Sequence, residues 1–487
     1  MLQILFKNSA VYAVGIILSR LVGFLMIPVY TRVLTPSDYG VIETIVRLVD
    51  ILSILLALGM SEALLRHYHE VKDERERQAL VSTTLILMVG VIIAGILLLQ
   101  PIIPGLTYLL FGNLDQVPYV RVALVGMMIG NLIPLPLTLF RAEGKAWRFT
   151  VISLLQLIFQ LTLNIIFVVW LQEGVWGVVL SILINGVFWS TVLILYVLSS
   201  VGWKLEGRWI PPLFKYGLPL VPAALAQFLL HFSDRFFLVH YTSTTEIGLY
   251  SLAYRLGMLG SEMFNALNWA WWPWVFRVAS RSNAEKELQK GASLVLVLSA
   301  LICAGVSLFA DPIIRLIAAP SFWKAAPYVP VLSLAYWFFT ATTPLSISAR
   351  LAKRTDLFAV ANALAAGACL LFNFWLIPRY QVWGAITATL ASFILLVALV
   401  LYACRRIAPF KHNWNLITLS ILGLCVTAWW SNWIHVPEPF ALLCRGMIWL
   451  GMAAGLLFCF VRLYSLHLEN SPLFPRILSW VKMNGNL

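Results

Sequence analysis

Ionisable side chains set inside apolar stretches are the residues of this sequence with chemistry to offer. Arg20 stands in the first such stretch, and in the second Glu43, Arg47 and Asp50 follow at i, i+4 and i+7, which puts all three on one helical face. Arg255 and Glu262 lie seven residues apart in an eighth stretch, and Gln227, His231 and Asp234 share a face of a seventh, with Arg235 beside them. A charge at mid-bilayer costs about 2.5–3.5 kcal/mol even on the lenient insertion scale, so these groups face protein, water or a ligand. Guanidinium suits phosphate, because its planar donors grip two oxygens at once and it stays charged when desolvated. Arg20, Arg47 and Arg255 therefore predict an anion-binding constellation. Glu43, Asp50, Asp234, Arg235 and Glu262 are the candidates for coupling or gating, since a carboxyl in a dry cavity is able to exchange a proton. The competing reading of the same residues is purely architectural: Arg47 with Glu43 and Asp50, and Arg255 with Glu262, close buried ion pairs that hold helices in register.

Other chemistry is excluded or unsupported. No G-x-x-x-x-G-K-[ST] loop occurs, so the chain carries no ATP drive of that kind, and the six cysteines are scattered without metal-like spacing. His67 and His69 are the nearest approach to a metal pair and sit in a mixed charged run, so no metal or cofactor is predicted beyond an H+ or Na+ ion as coupling partner.

The elements that must position these residues are membrane helices. The chain has 487 residues, 61% hydrophobic and only 11% charged, with a mean hydropathy of +0.88. A soluble protein of ordinary composition carries roughly twice that charge. Stretches of about twenty apolar residues recur near 9–33, 39–65, 79–104, 117–140, 147–171 and 174–201, then 213–240, 244–274, 291–318, 325–349, 355–378 and 381–404, with two more near 413–434 and 440–463. This predicts an all-α polytopic membrane protein of about fourteen transmembrane helices with no room for a separate catalytic domain, and hence not an enzyme. Arg66, Lys72, Arg75 and Arg77 follow the second helix, Arg141, Lys145 and Arg148 the fourth, and Arg277, Arg281, Lys286 and Lys290 the eighth, so these connections and both termini are expected in the cytoplasm. That topology, with attraction to anionic headgroups, accounts for the net charge of +13 without nucleic acid.

The two halves resemble each other at a spacing of about 208 residues. Tyr39-Gly40-Val41 through Arg47-Leu48 parallels Ile247-Gly248-Leu249 through Arg255-Leu256. Arg141 and Lys145 parallel Arg350 and Arg354, Asn164 parallels Asn373, and Trp176-Gly177 parallels Trp383-Gly384. The predicted organisation is two six-helix lobes, residues 1–203 and 204–411, related by a parallel repeat, followed by a helix pair and tail at 412–487. An even number of helices per repeat implies an axis along the membrane normal, a central cavity and alternating access.

The segment Leu18-Ser19-Arg20-Leu21-Val22-Gly23-Phe24, then Ile27-Pro28-Val29-Tyr30-Thr31-Arg32-Val33-Leu34-Thr35-Pro36 and Asp38-Tyr39-Gly40, resembles the Wzx-type polysaccharide and O-antigen flippases of the multidrug/oligosaccharidyl-lipid/polysaccharide exporter superfamily. The turns Arg141-Ala142-Glu143-Gly144 and Ala352-Lys353-Arg354-Thr355 are similar to that family's connections after helices four and ten. The resemblance implies a two-lobed transporter in the bacterial inner membrane. Its cargo would be an undecaprenyl-pyrophosphate-linked oligosaccharide, turned from the cytoplasmic to the periplasmic leaflet for cell-surface polysaccharide or lipopolysaccharide synthesis. It further implies bilayer lipids and polysaccharide polymerase machinery as partners, and cavity arginines at the positions of Arg20, Arg47 and Arg255. A lipid II flippase and a multidrug or cation exporter of the same superfamily are the alternatives. The mid-membrane arginines weigh against a cavity selecting cations.

Overall fold

The sequence Thr35-Pro36-Ser37-Asp38 starts a helix by well-defined chemistry. The Thr35 hydroxyl accepts from the Asp38 amide at 3.2 Å, the Asp38 carboxylate accepts from the Thr35 amide at 3.0 Å, and Pro36 fills the first helical position, where no amide hydrogen is needed. Such segments build the whole molecule. The computed structural model describes residues 26–354, 356–407, 410–433 and 440–466, and every regular element among them is helical. Arg20 lies outside the described residues.

Eight helical stretches among the described residues are each long and apolar enough to cross a bilayer, or nine if Gly207–Gly217 and Leu220–Phe232, bent by 40°, form one span. Several stretches that read as continuous in the sequence are broken. Pro36–Ala57 gives way to Met60–Glu70 through Leu58 and Gly59, both left-handed at φ 51° and 64°, and Val117–Gly130 is separated by a turn from Pro134–Ala142. A helix cannot run through two successive left-handed residues, and a proline inside it removes a donor and clashes with the preceding turn. Thr244–Gly257 is likewise followed, after Met258, by Leu259–Val278. The 52-residue stretch Asp356–Ile407 is two helices joined at Gln381, whose φ of 50° and ψ of −123° are not helical.

The described chain forms two compact units, one ending at Gly248 and the other beginning at Leu249. In the first, Ile45, Val49, Leu80, Leu85, Val120, Leu124 and Met128 form the middle of the core. Gly174–Val201 lies hard against Val117–Gly130: a Cβ on Gly126 would strike the backbone of Leu183, and one on Gly186 the carbonyl of Gly126. Small residues at helix crossings are the usual means of close packing where lipid, rather than water, is the solvent.

In the second unit the helix Ala284–Leu308 is the central post. Trp337 Nε1 donates to the Leu296 carbonyl at 3.3 Å and the Ser333 hydroxyl to that of Cys303 at 3.0 Å. The last two helices, Trp414–Trp433 and Phe440–Leu466, have no counterpart in the repeat, yet they are fixed to the same post. The Ser431 hydroxyl reaches the Ser307 carbonyl at 3.0 Å, Trp449 Nε1 that of Leu301 at 2.9 Å, and the Tyr464 hydroxyl that of Gln289 at 3.1 Å.

The correspondences at a spacing of about 208 residues recur as local geometry within each unit. Gly144 donates to the Arg141 carbonyl at 3.1 Å and Lys145 to that of Phe140 at 2.8 Å; Lys353 donates to Arg350 at 3.0 Å and Arg354 to Ala349 at 2.9 Å. The turn residue is left-handed in both, at φ 71° for Gly144 and 57° for Lys353, where a side chain has to tolerate a conformation that glycine adopts freely. Asn164 and Asn373 are both buried, and Gly177 and Gly384 each open a helix pressed on a carbonyl of the helix before it, Phe167 and Leu376 respectively. Ser243 and Glu246 stand where Thr35 and Asp38 stand in the first half, and the Glu246 amide donates to the Ser243 hydroxyl at 3.3 Å.

Candidate functional site

Within the first unit, Pro36–Ala57 carries the predicted acid–base–acid face. Its residues do meet. Arg47 Nη1 donates to Asp50 Oδ2 at 2.6 Å and Nη2 to Glu43 Oε2 at 3.2 Å. Glu43 is buried at 2% exposure, and the Arg47 and Asp50 side chains keep 17% and 28%, so the triad opens toward its Asp50 end. Arg47 Nε is buried and finds no acceptor among the described residues, which leaves one charged donor of the guanidinium unspent.

An aromatic ring completes this arrangement, and periodicity gave no notice of it. The Arg47 guanidinium carbon lies 4.3 Å from the centre of the Phe232 ring, and that of Arg235 lies 5.3 Å from the same centre. Each contact contributes about 0.5–2 kcal/mol, the larger value applying where water is excluded. Phe232 closes the helix Leu220–Phe232, and Asp234–Tyr241 begins just beyond Ser233. Asp234 and Arg235 are each 2% exposed: Arg235 Nη1 donates to Asp234 Oδ1 at 2.8 Å and to the His231 carbonyl at 3.3 Å. Gln227, predicted to share a face with His231 and Asp234, is exposed, so the break at Ser233 sends the upper and lower parts of that face into different surroundings. A signal for Phe232 did exist in the sequence, since it sits between His231 and the Asp234-Arg235 pair. An aromatic in an apolar stretch nevertheless looks like any core residue.

The described cluster thus holds Glu43, Asp50 and Asp234 against Arg47 and Arg235, three formal negative charges against two positive. Each arginine comes with its carboxylate rather than bare. Arg255 and Glu262 belong to the second unit, where both are half-buried on successive helices, Thr244–Gly257 and Leu259–Val278; the face they were predicted to share spans the break at Met258. Among the described residues no group of three or more His, Cys, Asp or Glu is placed to hold a metal ion.

Near the start of the Arg47 helix, Ser37 Oγ and Thr244 Oγ1 share a hydrogen bond of 2.7 Å. One turn further on, Gly40 and Gly248 lie back to back. A Cβ on Gly40 would run into the Thr244 carbonyl, and one on Gly248 into the Pro36 carbonyl. The two glycines are repeat equivalents, so the crossing is reciprocal: each half supplies the same small residue and the same kind of obstructing carbonyl.

A family model described as "Polysaccharide biosynthesis protein" matches residues 29–327, a range that holds Glu43, Arg47, Phe232, Arg235 and Arg255. The chain belongs to the polysaccharide biosynthesis protein family. One relative of this polysaccharide biosynthesis protein, the Lsg locus protein 1 of Haemophilus influenzae, is 26% identical over 289 residues, covering 57% of this chain and 67% of its own. Among solved structures, the lipid II flippase MurJ in an inward closed conformation superimposes with a TM-score of 0.73 at 15% identity, over 93% of this chain and 98% of the flippase. A multidrug resistance MATE family transporter of the MOP superfamily, inward-facing, gives a TM-score of 0.58 at 16% identity over 82% and 94%. A MOP superfamily transporter from Pyrococcus furiosus, its binding pocket described as reversed in polarity, gives 0.54 at 15% identity over 83% and 95%. The polysaccharide biosynthesis protein therefore has the fold of those membrane transporters, and it is a multi-pass membrane protein.

Proposed function

We propose that this chain is a secondary flippase of the bacterial inner membrane. Its cargo is an undecaprenyl-pyrophosphate-linked oligosaccharide, moved from the cytoplasmic to the periplasmic leaflet by alternating access, with both termini in the cytoplasm. Family membership supports a role in polysaccharide synthesis, and the shared fold supports transport. The observation that carries the reading is Arg47: a guanidinium mostly withdrawn from the surface, held over Phe232, clamped by two carboxylates and keeping one donor without an acceptor among the described residues. Arg20, Arg47 and Arg255 engage the pyrophosphate, the sugars occupy hydrated space, and the polyprenyl tail stays in lipid.

The carboxylates give Arg47 a switch. While Glu43 and Asp50 are ionised they compete with phosphate for the same donors; a proton on either weakens that competition and shifts the cluster toward positive charge. Proton binding and cargo binding would then favour each other at this cluster. Delivery to a polysaccharide polymerase in the outer leaflet follows from the direction of transport.

The test is lipid extraction from a deletion strain. An undecaprenyl-linked oligosaccharide accumulating in the cytoplasmic leaflet is the expected result, restored to normal by the wild-type chain but not by Arg47→Ala or Arg255→Ala at equal membrane abundance. Accumulation of lipid II in place of that oligosaccharide would favour the second reading, which the superposition on a lipid II flippase supports. Accumulation of neither, together with new drug sensitivity, would indicate an exporter.

A further inference from the structure

In the second unit the two helices joined at Gln381 leave a groove of about 290 Å³ on their outer side, walled by Leu357, Val360, Leu364, Leu399 and Tyr402, with Arg406 at one end. Val360, Leu364 and Tyr402 are 54%, 56% and 58% exposed, so no side chain among the described residues covers the groove. A trench of this composition on a membrane helix pair has the polarity of a hydrocarbon chain.

The charge at its end is what distinguishes it. The Arg406 guanidinium lies 5.0 Å from the Tyr402 ring centre, is exposed, and forms no ion pair with a carboxylate among the described residues. The acid nearest in sequence to the groove wall, Asp356, is occupied: Arg354 Nη2 and Nε both donate to its carboxylate, at 2.9 and 3.0 Å. Next to Arg406, the Arg405 guanidinium is parked 5.5 Å from the Trp414 ring centre, adding positive potential without a compensating acid. The first unit offers an internal contrast. Its groove of about 340 Å³, lined by Ile86, Val89, Ile93 and Leu195, has no charged residue anywhere in its lining. That groove can hold a hydrocarbon chain but cannot choose a headgroup.

We propose that the Leu357–Arg406 groove is a binding site for an anionic glycerophospholipid, one acyl chain lying along Val360, Leu364 and Leu399 and the headgroup phosphate resting against Arg406 and the Tyr402 hydroxyl. Arginine at the basic end of a helix pair matches phosphate in charge, and tyrosine at the same level supplies a neutral donor to the phosphate or ester oxygens. The site is separate from the transport residues and does not depend on the cargo assigned above.

Native mass spectrometry of the delipidated full-length chain, titrated with phosphatidylglycerol and with phosphatidylcholine of the same acyl composition, tests this. The first bound lipid should favour phosphatidylglycerol by about fivefold, the size of the attraction of one basic side chain for an anionic headgroup. Arg406→Gln should bring the two lipids to parity, Arg406→Lys should keep most of the preference, and Leu364→Trp should abolish the first binding step for both. Equal preference in wild type and Arg406→Gln would overturn the proposal, as would a dimer mass that disappears with Leu364→Trp, which would give the groove to a second copy. Arg406 is exposed and lies outside the buried core, so its variants decide the matter even if Leu364→Trp fails to fold.

Discussion

The guanidinium groups of Arg47 and Arg235, 188 positions apart in the sequence, lie over one and the same phenyl ring, that of Phe232. A single aromatic therefore ties the acid-clamped arginine of Pro36–Ala57 to the buried Asp234–Arg235 pair, and both can be probed by changing it. Phe232→Leu keeps most of the volume and removes the ring quadrupole, so it should lower stability in detergent by about 1–2 kcal/mol. Oligosaccharide export should fall while membrane abundance holds. Thermal melting and a complementation assay measure the two separately, and unchanged values in both would remove Phe232 from the site.

Neutralising the clamp acts in a different direction. Glu43→Gln or Asp50→Asn leaves Arg47 with one ionised partner where it had two, and should tighten binding of a soluble pyrophosphate probe several-fold, about 1 kcal/mol for one competing charged hydrogen bond. The same variants should flatten the pH profile of transport. A binding curve and profile identical to wild type would rule out competition between carboxylate and phosphate.

Asp234 and Arg235 are so well buried that each is needed by the other. Arg235→Ala or Asp234→Ala breaks a buried ion pair and should cost about 3–5 kcal/mol, seen as loss of folded protein from the membrane. The double change Asp234→Leu with Arg235→Met should recover most of that abundance. Recovery without export would assign the pair to transport as well as to folding.

Cysteines at 37 and 244 should be joined by mild oxidation, because the native hydroxyls stand 2.7 Å apart. Transport should stop on oxidation and resume on addition of reductant if the crossing parts during the cycle. Gly40→Ala and Gly248→Ala each set a methyl group against a backbone carbonyl and should destabilise the fold by about 1–3 kcal/mol.

His412 lies in the connection before Trp414, and burial, reinforced by nearby Arg405, lowers its pKa to about 4 from an ordinary 6.5. A histidine kept neutral by folding binds fewer protons than the unfolded chain between these values. Its contribution to stability is therefore complete above pH 6.5 and is lost as the pH falls toward 4. His412→Phe should weaken the dependence of the melting temperature on pH across that window, and an unaltered slope would place the titrating group elsewhere.

Much of this was legible in the sequence, and the reasons differ from residue to residue. Charge spacing gave the Glu43–Arg47–Asp50 face because i, i+4 and i+7 coincide on any helix. The repeat was legible because glycines, turn residues and buried asparagines keep their positions when the rest of an apolar segment drifts. The break at Leu58–Gly59 was not, since Leu58 carries no mark of the left-handed conformation that Gly59 and the opposing Gly217 impose on it. Nor was Phe232, whose role depends on two arginines brought to it by tertiary packing. Asp234 and Arg235, coupling or gating candidates by sequence, form a buried pair whose depth was not legible, because helical wheels report direction and not depth.

Three of the hydrogen bonds that fasten the last two helices to Ala284–Leu308 run one way in time. Ser431, Trp449 and Tyr464 donate, and they are synthesised well after Ser307, Leu301 and Gln289, whose carbonyls accept. The Gln289 and Leu301 carbonyls lie inside their own helix, which already supplies each with a donor, so they leave nothing unmet toward lipid while the ribosome finishes the chain. In these three bonds the later partner holds the hydrogen, so the last two helices bring part of the means of their own attachment.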